Sequence, residues 1–292
     1  MNDQVNAHAA TRAQGVAAPA LAILGSLVSI NAGAAWAKGL FPAVGSAGVV
    51  ALRVGLSALI LLTIVRPWRF KLRRADVPNL VIYGVMLGAM NLFIYRSFER
   101  IPLGIAVAIE VTGPLAVVIL SSRHARDFLW GILAGAGLWL LLPTAAGSAP
   151  LDPIGIAYAL AAAFCWAMYI VFGKRVSMLD GGQAVSWGLL AACVFVVPFG
   201  VTHAGGDLLA PAVLGGGLAV ALLSSALPYT LEMKALKRLP RRVFGILVSA
   251  GPAVAALAGF LLLGERLTTL QWLAIALVTL ACAGAAATAD RR

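Results

Sequence analysis

Four residues able to do chemistry stand inside runs that are otherwise aliphatic: Asn31, Arg53, Asn91 and Glu110. Glu110 lies mid-way along Pro102–Val118, PLGIAVAIEVTGPLAVV, just before a Gly113-Pro114 pair. A charge buried at mid-bilayer depth costs roughly 2.5–3.5 kcal/mol on insertion scales, so it is seldom incidental. Glutamate receives an ammonium group or a proton. Arginine offers a planar donor fork matched to a carboxylate. Asparagine both donates and accepts. The set suits a small zwitterion that carries both charges. A purely structural alternative uses the same residues: Arg53 and Glu110 pair with each other and order a helix bundle. The two readings are compatible, because exchange of partners is one way to couple binding to protonation. Asn31 and Asn91 taken singly also serve as interhelical hydrogen bonds, each worth well under ~2 kcal/mol.

The elements that must position these groups are membrane helices. The chain has 292 residues, 61% hydrophobic and 11% charged, far from the half-apolar, quarter-charged balance of soluble domains. The excess is arranged in runs of about 20 residues, the length that crosses ~30 Å of hydrocarbon. Ten segments are expected, at 18–37, 46–65, 79–98, 103–120, 128–143, 153–172, 183–201, 212–233, 243–263 and 270–289. Their length favours helices, since a membrane strand needs only about 10 residues. Residues 1–17 form a polar cytoplasmic tail, expected to be loose. Reading the first segment as a cleavable signal, with AAWA as its site, is the weaker alternative. Its end, AGAAWAKGLF, is similar to AAFCWAMYIVFGK in the sixth segment, which makes it part of a repeat and pairs Trp36 with Trp166.

Loop charge sets orientation. With the N-terminus cytoplasmic, 17 basic residues fall on the inner side and 4 on the outer (Lys38, Arg96, Arg100 and Arg266). Both termini are therefore expected in the cytoplasm. The net charge of +11 reads as membrane topology, not nucleic-acid binding, because the basic residues sit in short loops. Depth follows from the segment ends. Asn31, Arg53, Asn91 and Glu110 are each seven residues from an outer end, which places them in one layer about 10 Å below the outer boundary.

The chain also repeats itself. Arg100, Pro102, Gly113, Pro114 and Asp127 map at a constant offset of 138 onto Arg238, Pro240, Gly251, Pro252 and Glu265, while Val248 replaces Glu110. The repeats span 18–143 and 153–289. Five segments per repeat is odd, so the second copy enters from the opposite face. That inverted arrangement is a signature of secondary transporters, with the substrate site near mid-membrane between the halves.

The stretches AKGLFPAVGSAGVVALR, YGVMLGAMNLFIYRS, PLGIAVAIEVTGPLAVVILSSR, CWAMYIVFGKR, SSALPYTLEMKALKRLP and FLLLGERLT resemble the drug/metabolite transporter superfamily in its ten-helix form with two EamA-type repeats. The run around Glu110 and the LPYTLEMKAL stretch are most similar to its bacterial inner-membrane amino-acid exporters, those of threonine and homoserine. The resemblance covers the chain after its tail. It implies efflux of small amino acids driven by the proton gradient. Glu110, the carboxylate within the fourth segment, is the candidate for proton coupling. Gly251 departs from the pattern, since similar exporters can carry an acidic residue before the ninth-segment proline.

In the second half, Ser249 and Tyr229 are candidates for the inner pathway, with packing as the alternative. Trp36 and Trp166 serve as interfacial anchors or gate residues. Glu232, near Lys234, Lys237 and Arg238, reads as part of an interfacial ion pair. Gly84-x-x-x-Gly88 and Gly131-x-x-x-Gly135 permit close helix contacts, including a homodimer. Cys165, Cys193 and Cys282 lie in apolar runs, and His8, His124 and His203 are scattered, so neither a disulfide framework nor a metal or other cofactor is expected. The rival class, a membrane enzyme, would cluster His, Asp or Glu at a membrane face. Export of another metabolite or a drug is the alternative within transport.

Overall fold

The computed structural model describes residues 2–69, 72–122, 124–141, 151–176, 181–236 and 238–289. For 2–17, Ala125, Arg126, Ala226, Tyr229, Thr230, Met233, Lys234, Leu236, Arg241 and Ala289, only the backbone is described. The described residues form helices and turns with no strand. Lipid dictates this outcome, because a hydrocarbon solvent offers nothing to an unpaired N–H or C=O and a helix satisfies its own.

The helices in chain order are α1 (Asn2–Gly39), α2 (Phe41–Val65), α3 (Val77–Phe98), α4 (Leu103–Glu110), α5 (Thr112–Leu120), α6 (Ala125–Leu141) and α7 (Pro153–Arg175), then α8 (Gly181–Ala204), α9 (Pro211–Ala221), α10 (Leu227–Leu236), α11 (Arg241–Val248), α12 (Gly251–Leu263) and α13 (Thr269–Ala289). α1 runs back through the polar tail to Asn2, where a loose segment was expected. Its apolar part begins at Ala18. Among the described residues, eight helical stretches are long and apolar enough to cross a membrane. The fifth and eighth expected segments coincide with shorter apolar helices, Asp127–Leu141 and Pro211–Ser225. A π-helical turn, Leu222–Ala226, lies within the eighth segment between α9 and α10. The remainder of the fifth, Leu142 and Pro143, lies outside the described residues.

Local chemistry explains where helices begin and break. Proline occupies the first turn of α2, α3, α7, α9 and α12, where its missing N–H is not needed. Asp152 Oδ1 caps α7 by accepting from Ile154 N at 2.8 Å. α2 kinks at Gly45 (φ 67°, ψ 169°), a left-handed conformation suited to glycine. Glu99 Oε1 accepts the Ser46 N–H beyond that kink at 2.7 Å. The fourth and ninth expected segments are each broken just before their Gly-Pro pair. α4 (Leu103–Glu110) and α11 (Arg241–Val248) have bounds 138 residues apart at both ends, the offset of the sequence repeat.

Packing relies on small residues. A methyl group added to Gly104 of α4 would lie 2.5 Å from Ala256 Cα of α12, so these two helices cross with their backbones almost touching. Gly84 and Gly88 of α3 press on Gly188, Ala192 and Phe195 of α8, which uses the first glycine motif inside the chain. In the second motif, Gly131 faces Ile119 and Gly135 meets nothing within 4 Å. The outer surface is apolar, with Ile132 69% and Leu59 60% exposed, as a lipid-facing exterior requires.

Outside the spans, Arg100 Nη1 donates to Asp152 Oδ2 at 2.7 Å. This bond raises the Arg100 pKa. Together with the N–H of Ile154 it holds the Asp152 carboxyl below the usual carboxylate range.

Candidate cavity and its arginine

Between α1, α2, α3, α7, α8 and the α9–α10 segment lies a cavity of about 390 Å³. Arg53 sits on its wall, and Ile64 and Val65, at the C-terminal end of α2, mark its far end. Eleven residues of helix separate Arg53 from Ile64, about 16 Å. Ile64 lines the cavity and is 72% exposed, so the cavity opens at that end of the bundle. Glu232 of α10 lines the same region and accepts from Ser26 Oγ at 2.6 Å.

Arg53 is held on two sides. Its Nη1 donates to Tyr95 Oη at 3.1 Å, and its guanidinium carbon lies 5.3 Å from the Tyr95 ring centroid. Its Nη2 reaches the Ser224 carbonyl in the π turn at 3.5 Å. These contacts orient the fork and leave donors free, since a guanidinium carries five N–H groups. Asn91 lines the cavity and donates to Leu87 O of its own helix at 2.8 Å, so its amide oxygen and second hydrogen stay available. Ser57 Oγ donates to Ser225 Oγ at 3.0 Å across the cavity wall. Tyr169, also on the wall, is stacked on Tyr83 with ring centroids 4.6 Å apart.

The single polar layer expected from depth is divided in the structure. Arg53 and Asn91 reach the cavity, but Asn31 and Glu110 do not line it. Asn31 is 4% exposed and donates to Leu27 O, one turn back in α1. Glu110 ends α4 at its break and is 8% exposed. Arg53 and Glu110 form no ion pair, because the guanidinium is turned toward Tyr95 and Ser224.

Other candidates disperse as well. Ser249 donates to Gly245 O within its own segment, at the α11–α12 break, and does not line the cavity. Trp36 is 58% exposed on the exterior, and Trp166 is half-buried on α7 away from the cavity. The Tyr229 side chain lies outside the described residues. Glu232 faces the cavity and Ser26, where an interfacial ion pair was expected; the side chains of Lys234 and Lys237 are outside the description. Sequence reasoning passed over Tyr95, Ser57, Ser224 and Ser225. Tyr95 had one usable signal, its position four residues after Asn91, on the same helix face.

A second polar cluster lies at the opposite end of α1. Lys38 Nζ and Glu265 Oε1 are 2.6 Å apart, and Glu265 Oε2 accepts the Leu103 N–H at 2.9 Å. That N–H is one of the unsatisfied donors at the start of α4, where negative charge is favoured. The contact ties the end of α1 and the start of α4 to the loop after α12. Ser26 and Lys38 are twelve residues apart on α1, about 18 Å, so the clasp is remote from the mouth.

Residues 153–286 match the EamA-like transporter family. Over 281 residues the chain is 47% identical to the threonine/homoserine exporter RhtA of Salmonella typhimurium, covering 96% of this chain and 95% of the relative. RhtA of Escherichia coli K12 is 47% identical over 270 residues, covering 92% of each. An uncharacterized inner membrane transporter of the same organism, YedA, is 29% identical over 70% of this chain and 69% of its own. A crystal structure at 19% identity superposes with a TM-score of 0.60 over 96% of this chain and 98% of its own, which speaks to the fold alone. These relatives are named transporters and exporters, which sets the enzyme reading aside and places the protein in the bacterial inner membrane as a multi-pass chain. The chain belongs to the EamA-like transporter family.

Proposed function

We propose that the protein exports small amino acids, threonine, homoserine or similar compounds, from the cytoplasm by proton antiport. The observation that carries this is a guanidinium on the wall of a cavity that extends along α2 to Ile64 and Val65, the end next to the basic loop that follows α2. Positive loops mark that end as cytoplasmic. In this reading the chain has ten spans in two inverted repeats with both termini in the cytoplasm. The paired breaks of α4–α5 and α11–α12 and the 47% identity to named threonine/homoserine exporters support it.

The substrate carboxylate enters through the mouth and takes the free donors of Arg53, a bidentate pairing for which lysine is a poor substitute. Asn91 completes the polar wall. Glu110 is the proposed coupling carboxylate. It sits at the α4–α5 break, where a hinge movement brings it toward the bound ammonium. One carboxylate cannot hold both a proton and the ammonium at once, and that competition supplies the differential affinity coupling requires. Release outside lets Glu110 take a proton, which then travels inward on the return step.

The test is labelled-threonine flux in reconstituted vesicles under an imposed pH gradient. The wild type should concentrate threonine, and Glu110→Gln should insert normally but lose gradient-driven accumulation. Accumulation at the wild-type rate by the Gln protein would remove Glu110 from the coupling role.

A further inference from the structure

The π turn Leu222–Ala226 places two consecutive serines, Ser224 and Ser225, on the cavity wall. π turns inside helices concentrate at functional sites. Arg53 and Ser57 are four residues apart, on one face of α2 and about 6 Å apart along it. Both meet the π turn. Arg53 reaches the Ser224 carbonyl at 3.5 Å, and Ser57 Oγ donates to Ser225 Oγ at 3.0 Å. The cavity thus carries a cationic fork with a pair of hydroxyls one turn nearer its mouth.

That pair retains hydrogen-bonding capacity. With Ser57 donating to Ser225, the Ser225 hydroxyl proton and lone pairs on both oxygens remain available. A third hydroxyl, Ser224 Oγ, is buried without a hydrogen-bond partner, although Ser224 is only 7% exposed. An unpaired buried hydroxyl is costly. The rest of the lining is largely aliphatic, with Val54, Leu61, Leu87 and Leu189 nearby. In such surroundings a cluster of hydroxyls is the feature that distinguishes a polar side chain from an apolar one.

We propose that Ser57 and Ser225 read the side-chain hydroxyl of a β- or γ-hydroxy amino acid whose carboxylate is held by Arg53. By ordinary bond lengths, such a hydroxyl lies roughly 3–5 Å from the carboxylate carbon. That reach is comparable to the one-turn step from Arg53 to Ser57. The physical basis is asymmetric. An apolar pocket hardly distinguishes isosteres, whereas a site built to bond a hydroxyl rejects the analogue lacking it. This inference rests on the reading of the chain as an amino-acid exporter and adds its specificity determinant.

The experiment compares threonine with valine, its isostere without the hydroxyl, in vesicles containing the full chain. Three proteins are reconstituted: the wild type, the double variant Ser57→Ala/Ser225→Ala, and Ser57→Thr. Removing both serines leaves neither partner unsatisfied. The wild type should prefer threonine. In the double variant the threonine-to-valine flux ratio should fall about fivefold, the factor set by loss of one hydrogen bond of ordinary worth. Ser57→Thr, which keeps a hydroxyl, should retain the wild-type ratio. An unchanged ratio in the double variant overturns the proposal. So does equal loss of both fluxes in a correctly inserted double variant, which marks the pair as structural. If the wild type moves threonine and the double variant keeps its threonine-to-valine ratio, only the specificity claim falls. If the wild type moves no amino acid, the exporter reading falls and the inference with it.

Discussion

Arg53 illustrates how far a residue's type and depth carry an argument. Its identity promised a carboxylate-binding fork, and its place seven residues from a segment end predicted a buried height. In the structure Arg53 lines the cavity. The same argument failed for Glu110 and Asn31, for a definite reason. Depth along a helix fixes height in the membrane but not rotation about the helix axis, and helices apolar on nearly every face carry no moment to supply it. α1 has almost no amphipathic bias in which to read the direction of Asn31. The role of Arg53 is separable from that of a generic positive charge. Arg53→Lys should insert normally and transport poorly at low substrate concentration, about tenfold or more below wild type, because lysine lacks the two-pronged geometry. Initial rates across a threonine concentration series measure this. Near-normal rates at low concentration would assign Arg53 a structural charge only.

The elements were legible where the backbone chemistry is local. Long apolar runs specify helices and prolines mark their first turns, while the fourth and ninth segments, expected to be continuous, are interrupted just before their Gly-Pro pairs in α4–α5 and α11–α12. The π turn at Leu222–Ala226 was not legible, since serines within an apolar run leave no periodic trace. Nor was the Lys38–Glu265 clasp, because Lys38, Leu103 and Glu265 are far apart in sequence and meet only through packing of α1, α4 and α12. The clasp makes an element-scale prediction. Ala37, beside Lys38, is fully buried, and a cysteine placed there should react slowly with a thiol reagent in otherwise wild-type protein. Adding Glu265→Gln should speed that reaction roughly threefold, since a part-exposed ion pair contributes about 0.2–1 kcal/mol. Equal reactivity in the two backgrounds would mean that the clasp does not hold that end of α1.

At the scale of the whole molecule, the cavity extends along α2 to the exposed Ile64, and the Lys38–Glu265 pair stands about 18 Å along α1 from Ser26, the partner of Glu232 on the cavity wall. Its direction depends on orientation. A cysteine at Thr144 should be labelled in intact cells by an impermeant thiol reagent, and one at Arg69 should not. Equal labelling would defeat the inverted-repeat topology. The central claim, export of an amino acid against an inward proton, is tested most directly by following protons. Inside-out vesicles containing the wild-type chain are given an acidic lumen and a pH-sensitive dye, and threonine is added outside. The account predicts a threonine-dependent rise in lumenal pH as protons leave while threonine enters. Threonine entry with no proton movement, or with protons moving in alongside it, would contradict the account.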